Sequence, residues 1–99
     1  MSEVLVLEFS KPEAVEIYLA VNRLIGVDPV TGSGDWPAGM ISHVAGESGD
    51  KLIVVEVWES QADQDAFMQN RLVPAFQEAG APPPARVEWF TYAGGRQAH

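Results

Sequence analysis

The sequence predicts an α+β domain whose elements follow in the order β-α-β-β-α-β. Three observations indicate this order: apolar runs of strand length, two stretches with apolar residues at three- and four-residue spacing, and Gly-, Pro- and Asp-rich clusters between them. Two helices on one face of a four-stranded antiparallel sheet make the ferredoxin-like arrangement. Ninety-nine residues, 46% of them hydrophobic, suffice for a single domain spanning residues 1–99.

The first strand runs from Glu3 to Phe9, where four consecutive apolar residues have the length of a buried strand. A helix follows at once, because Ser10 and Glu13 have the spacing of a reciprocal capping box. Pro12 is tolerated in this first turn, where its missing amide hydrogen costs nothing. The helix is expected to end at Gly26, and its buried face to carry Ala14, Val15, Tyr18, Leu19, Asn22 and Ile25.

The segment from Gly26 to Pro37 has no periodicity and predicts a loop of about a dozen residues, a length that is often functional or mobile. Ala38 to Gly46 and Lys51 to Trp58 then read as two strands joined by a hairpin turn. The turn lies within Glu47-Ser48-Gly49-Asp50, and its length decides which side chains share a face.

Ser60, with Asp63 three residues later, predicts the start of a second helix that ends at Gly80. Pro74 lies inside it, where its ring clashes with the carbonyl of Asn70, so a kink or a break is expected there. The side chains expected in the core are Ala66, Phe67, Leu72 and Phe76.

The last strand is expected from Arg86 to Tyr92, after a stiff connector at Pro82–Pro84. Residues 93–99 are then expected to form a flexible tail.

Both faces of the predicted sheet are apolar. The third strand presents Leu52, Val54 and Trp58 on one side and Ile53, Val55 and Val57 on the other. Two helices cover one face only, and an open apolar face is larger than a monomer usually exposes. We therefore expect a homodimer in which the open sheet face packs on a second copy.

The composition and net charge of the chain limit the classes of partner, metal site and location that can be expected. Six basic against fourteen acidic side chains give a net charge of −8, which argues against nucleic-acid binding. The absence of cysteine excludes disulfides and thiolate metal sites, and with no signal peptide a cytoplasmic location is the default. No apolar run approaches the roughly 18 residues that a membrane span requires.

His43 and Glu56 are the candidate catalytic residues. A two-residue turn at Gly49-Asp50 places them directly opposite each other, a four-residue turn keeps them on one face, and a three-residue turn separates them. A histidine oriented by a carboxylate is a workable general base. The alternative is that the two side chains only satisfy each other in the interior.

Tyr18, Asn22, Trp58 and Phe67 are the candidate substrate-binding residues. An indole near His43 stacks well on a planar substrate, although for Trp58 alone a place in the core is the favoured interpretation. Asn22 interrupts an apolar stripe and needs hydrogen-bond partners, either a substrate or the loop that follows. Trp36 and Trp89 are interpreted as packing or dimer contacts. No His, Asp or Glu grouping has metal-ligand spacing, so no metal site is expected.

Val55-Glu56-Val57-Trp58-Glu59-Ser60, followed by Phe67 and Leu72-Val73-Pro74, resembles the antibiotic biosynthesis monooxygenase-like (ABM) superfamily. His43 to Gly46 is similar to a His-x-Ala-Gly strand in small bacterial members. The resemblance extends from the first strand to Tyr92 and implies a dimeric α/β barrel. It also implies a cleft between the sheet and the helices of each protomer.

The superfamily includes cofactor-independent monooxygenases of aromatic polyketides, haem-degrading enzymes and related cyclases and isomerases. The resemblance therefore implies a small dimeric protein that acts on an apolar, aromatic small molecule without a cofactor. No helical histidine is present to ligate haem. A cyclase or isomerase of the same fold, and a non-catalytic ligand-binding or structural dimer, stay open as alternatives.

Overall fold

The order of elements follows the sequence prediction. The structure is a computed structural model that describes residues 2–10 and 13–94. Its elements in chain order are β1 (Glu3–Ser10), α1 (Ala14–Ile25), β2 (Val27–Asp28), β3 (Ser33–Gly34), β4 (Met40–Ser48), β5 (Lys51–Trp58), α2 (Gln61–Phe67), a π turn (Met68–Leu72), α3 (Val73–Ala79) and β6 (Arg86–Thr91).

Within the described residues, β4, β5, β1 and β6 pair in that order as an antiparallel sheet. The predicted ferredoxin-like α+β fold is therefore confirmed. The segment from Gly26 to Pro37 is more ordered than the predicted loop, because β2 and β3 pair within it as a short antiparallel ribbon.

The start of α1 differs from the predicted capping box. Ser10 is the last residue of β1, paired with Lys51, and α1 begins only at Ala14, so Ser10 lies too far before the first turn to cap it. Glu13 stands at the N-cap instead, without a side-chain hydrogen bond. Pro12 lies outside the described residues. The predicted end is confirmed at Gly26, whose left-handed backbone (φ 86°) lets its amide bond the last turn.

The hairpin between β4 and β5 has a two-residue turn. Ser48 pairs with Lys51, so Gly49 and Asp50 form the turn, with Gly49 at φ 59°. Strand β4 begins at Met40, two residues after the predicted start, because Ala38 and Gly39 form a turn with Gly39 at φ 88°. A bulge at residue 41 then shifts the register between Met40 and Ser42.

The second helical segment contains Pro74 without a break. Ser60 caps it as predicted, accepting the Asp63 amide at 3.1 Å. The chain widens into the π turn before Pro74, and the Val73 amide there donates to the carbonyl of Met68. The proline then lies at the start of α3, where a missing amide hydrogen is tolerated. Ala66 is exposed, contrary to the prediction, because the buried stripe of α2 runs through Gln64 and Phe67.

The sheet has one covered face and one open face. The covered face packs on the helices around Leu5, Val54 and Trp58, of which Trp58 has no exposed surface. On the open face, Val44 and Phe90 remain 62% and 49% exposed. The predicted tail begins at Ala93 and Gly94, which are exposed and outside regular structure, while residues 95–99 lie outside the described residues.

Candidate functional site

A cavity of about 370 Å³ lies between the covered face of the sheet and the helices. Most of its wall is apolar and comes from β1, α1, β5 and the second helical segment. Four of the predicted site residues contribute polar side chains to its wall, namely Tyr18, Asn22, His43 and Glu56, and Ser10 and Glu13 line it as well. An apolar cavity with a few convergent polar groups is the usual form of a small-molecule site.

His43 and Glu56 face each other across the hairpin. The two-residue turn makes them direct cross-strand partners on the covered face. Nδ1 of His43 lies 2.9 Å from Oε2 of Glu56, and both side chains are nearly buried. The arrangement that the shortest hairpin turn predicted is therefore present.

The other ring nitrogen of His43 is bonded as well. The hydroxyl of Tyr18, on α1, lies 2.6 Å from Nε2. The two rings are nearly parallel, at an interplanar angle of 10°. The pKa of Tyr18 is raised to about 12, chiefly by burial and to a smaller extent by the nearby charge of Glu56. A hydrogen bond with the Asn22 side chain lowers this pKa by a smaller amount.

The directions of these two hydrogen bonds are linked through the His43 ring. When the ring is neutral and Nε2 is the acceptor, the Tyr18 phenol, whose raised pKa keeps it protonated at neutral pH, donates to Nε2. Nδ1 then carries the ring hydrogen and donates it to the Glu56 carboxylate. A cavity ligand therefore meets a phenol backed by an imidazole and a carboxylate.

Trp58 contacts the Glu56 oxygen that His43 does not. Its indole Nε1 donates to Oε1 of Glu56 at 3.0 Å, and its ring packs on Phe67 at 5.7 Å between centroids. Trp58 is fully buried and does not line the cavity, so the structure places it behind Glu56, away from the cavity surface on which a planar substrate was expected to stack. Phe67, by contrast, does line the cavity.

Asn22 bonds within its own helix. Its Nδ2 donates to the backbone carbonyl of Tyr18 at 2.7 Å. One donor of the buried Asn22 amide group is therefore used within the helix. The loop after α1, one of the two partners expected from the sequence, does not provide this hydrogen bond. Asn22 also contributes to the cavity wall beside Tyr18.

Trp36 is a site residue that the sequence interpretation assigned to packing or dimer contacts. It follows the β2–β3 ribbon, and its ring lies 5.2 Å from that of His43, tilted by 48°. Its Nε1 donates to the carbonyl of Gly32 at 3.0 Å, and the side chain lines the cavity. An aromatic residue in a long Gly-rich segment was the only sequence signal for this role.

Arg71, on the π turn, ties the ribbon to the helices. Its guanidinium donates to the backbone carbonyls of Ile25 and, at 2.7 Å, Asp35. The Asp35 amide in turn donates to the Gly26 carbonyl at 2.9 Å. The residue next to Trp36 is therefore held by two elements.

Two other findings bear on the class of site. Within residues 2–10 and 13–94, no group of three or more His, Cys, Asp or Glu side chains is placed to hold a metal ion. None of the helices in that part of the chain is long and apolar enough to cross a membrane.

The fold is that of the antibiotic biosynthesis monooxygenase-like proteins. A Chloroflexus aurantiacus protein, provisionally assigned as an antibiotic biosynthesis monooxygenase, is 14% identical with a TM-score of 0.69 and 98% of each chain covered. SnoaB, a cofactor-independent oxygenase from Streptomyces nogalater, is 14% identical with a TM-score of 0.63 and 95% of each chain covered.

Rv0793 from Mycobacterium tuberculosis is 17% identical with a TM-score of 0.61, and the alignment covers 100% of both chains. No protein-family model matches the sequence, and no curated protein is similar to it in sequence. The resemblance drawn from the strand at Glu56 and Trp58 is thus supported by the fold.

Proposed function

We propose that this protein is an enzyme that removes a proton from a hydroxylated aromatic molecule and lets the resulting carbanion react with oxygen without a cofactor. One observation carries the proposal: the hydrogen-bonded chain Tyr18–His43–Glu56 meets an apolar cavity of about 370 Å³. The likeness in fold to a cofactor-independent oxygenase agrees with it.

The proton path follows from the contacts. A substrate proton passes to Oη of Tyr18 as the phenolic proton moves to Nε2 of His43, and Glu56 stabilises the imidazolium that forms. The apolar wall excludes water from the carbanion. When a methylene is oxidised, one atom of oxygen becomes the new carbonyl and the other leaves as water with the two hydrogens.

The test is oxygen uptake with an anthrone-like substrate, measured beside deuterium exchange at its acidic methylene. Wild type should show both, and His43→Gln and Tyr18→Phe should each lose at least 100-fold in both rates. Tyr92→Phe is the matched control, since Tyr92 is exposed and outside the cavity. Equal rates in wild type and His43→Gln would remove His43 from the mechanism.

The same experiment separates the alternative functions. Exchange that depends on His43 without oxygen uptake favours an isomerase or cyclase, because those reactions need the proton transfer alone. Binding of the aromatic molecule with neither rate enhanced favours a non-catalytic ligand-binding protein.

We also propose that the functional form is a homodimer joined through the open sheet face. Val44 and Phe90 are exposed there, and Val6, Ile53 and Val55 are only half-buried. Light scattering at micromolar concentration should give twice the 10.7 kDa chain mass. A mass of one chain would contradict the proposal.

A further inference from the structure

We propose that the cavity selects uncharged aromatic ligands with a hydroxyl donor and rejects their carboxylate and ammonium analogues. The inference rests on the proposed function, because it names the substrate class of the same site. It depends on the charges in the cavity wall and on which polar atoms there are already bonded.

Among the described residues that line it, the cavity offers no cationic side chain to an anion. Its described lining includes the carboxylates Glu13 and Glu56 and no lysine or arginine. A carboxylate buried beside Glu56 would lose its hydration and gain a like-charge neighbour. Arg71 is engaged elsewhere, with the carbonyls of Ile25 and Asp35 and the face of Phe67.

A cationic ligand also finds little charge compensation at the end of the cavity where Tyr18, His43 and Glu56 lie. Both oxygens of Glu56 already accept hydrogen bonds, Oε2 from His43 and Oε1 from Trp58. These two donors already compensate part of the carboxylate charge, so an ammonium group that pairs with it gains less than it would from a free carboxylate and still loses its hydration in a largely apolar wall. Glu13 is exposed to solvent, so it gives a buried cation little compensation.

A neutral hydroxyl is the group that fits. Tyr18 uses its hydrogen on Nε2 of His43, which leaves its oxygen lone pairs to accept from a ligand. Most of the remaining wall is apolar, with the Trp36 ring beside His43, and suits an aromatic ring. The ligand is therefore a neutral phenol or enol, which is the protonation state from which a proton can be removed.

The experiment is calorimetric titration at neutral pH with three naphthalenes of matched shape: 2-naphthol, 2-naphthoate and 2-naphthylmethylamine. We expect 2-naphthol to bind at least tenfold more tightly than either ion. Equal or tighter binding of the carboxylate or of the amine, or no binding of 2-naphthol, would overturn the proposal.

A pair of variants at one position adds a charge test. Met40 lines the cavity and is half-buried, so Met40→Lys adds a cation to the wall and Met40→Gln adds a neutral side chain of similar length. Met40→Lys should bind 2-naphthoate at least tenfold more tightly than Met40→Gln does. No difference between the two would count against charge as the basis of selection.

The outcomes separate the two proposals. Selective binding of 2-naphthol without proton exchange or oxygen uptake leaves the charge selection standing and removes the proposed reaction. His43-dependent turnover with equal affinity for the neutral and anionic naphthalenes removes the charge selection alone.

Discussion

The hydroxyl of Tyr18 and Nε2 of His43 are 2.6 Å apart, and this contact joins α1 to the edge strand β4. This contact adds the Tyr18 hydroxyl to the polar groups that a ligand in the cavity would meet beside His43. Nε2 already has Tyr18 as a hydrogen-bond partner, and both side chains line the cavity. The histidine predicted as the base is in the structure the middle member of a hydrogen-bonded chain that begins at a tyrosine and ends at Glu56.

The pKa of Tyr18 gives a prediction in the alkaline range. Since folding raises it from 10.0 to about 12, the protonated phenol stabilises the folded state below pH 10, and that contribution is lost as the pH rises towards 12. The shift corresponds to at most about 2.7 kcal/mol, and because the side chain is only half-buried we expect about 1 kcal/mol.

Urea unfolding at several pH values measures this loss. Tyr18→Phe should lose about 1 kcal/mol less than wild type between pH 9 and 12, and its absorbance titration should lack the tyrosinate step near pH 12. Tyr92→Phe should retain that step. A wild-type titration complete by pH 10.5 would contradict the assignment.

Trp58 should be needed for stability as well as for the site. Trp58→Phe leaves Oε1 of the buried Glu56 without its donor and opens a small cavity, so the free energy of unfolding should fall by about 2 to 4 kcal/mol. Thermal unfolding measures the change. Trp89→Phe, at a half-buried indole on edge strand β6, should cost less than half as much.

The open sheet face gives a prediction on assembly. Val55→Glu places a charge in the middle of that face, and burying it against a second copy is costly, so the variant should be monomeric at concentrations where wild type is dimeric. Light scattering gives the mass of each. Val30→Glu, at an 84% exposed residue beyond that sheet, should leave the wild-type mass unchanged.

Arg71 should control the order of the ribbon. Arg71→Gln weakens the contacts to Ile25 and Asp35, so amide hydrogen exchange in residues 27–36 should quicken by about tenfold with little change in global stability. Arg23→Gln, at an exposed residue in the last turn of α1, is the control. Unchanged exchange in Arg71→Gln would show that the ribbon is held by other contacts.

Periodicity and turn chemistry predicted the order of elements, the end of α1 at Gly26 and the Ser60 cap. These predictions depend on residues that are close together in the sequence, and the structure contains both the helix end at Gly26 and the Ser60 cap. The capping box at Ser10 was wrong because pairing with β5 keeps Ser10 in a strand, and such pairing involves residues far apart in the chain.

The site was predictable only in part, for the same reason. His43 and Glu56 followed from one hairpin and its two-residue turn. The contacts of Tyr18 and Trp36 with His43 join residues of three separate elements, and no spacing along the chain encodes them. Trp58 was expected near a ligand because an indole suits that role, whereas its burial depends on how the helices cover the sheet.

The π turn before Pro74 has a consequence beyond accommodating a proline. It holds one residue more than a regular turn, so the apolar stripe passes from Phe67 to Leu72, five positions on, and skips Arg71. Deleting Asn70 would place Leu72 four positions after Phe67, as in a regular α-helix, and would leave Arg71 directly before Leu72 on the face next to the stripe. The same widened turn thus carries both an apolar residue of the core and the guanidinium that holds the backbone at Ile25 and Asp35.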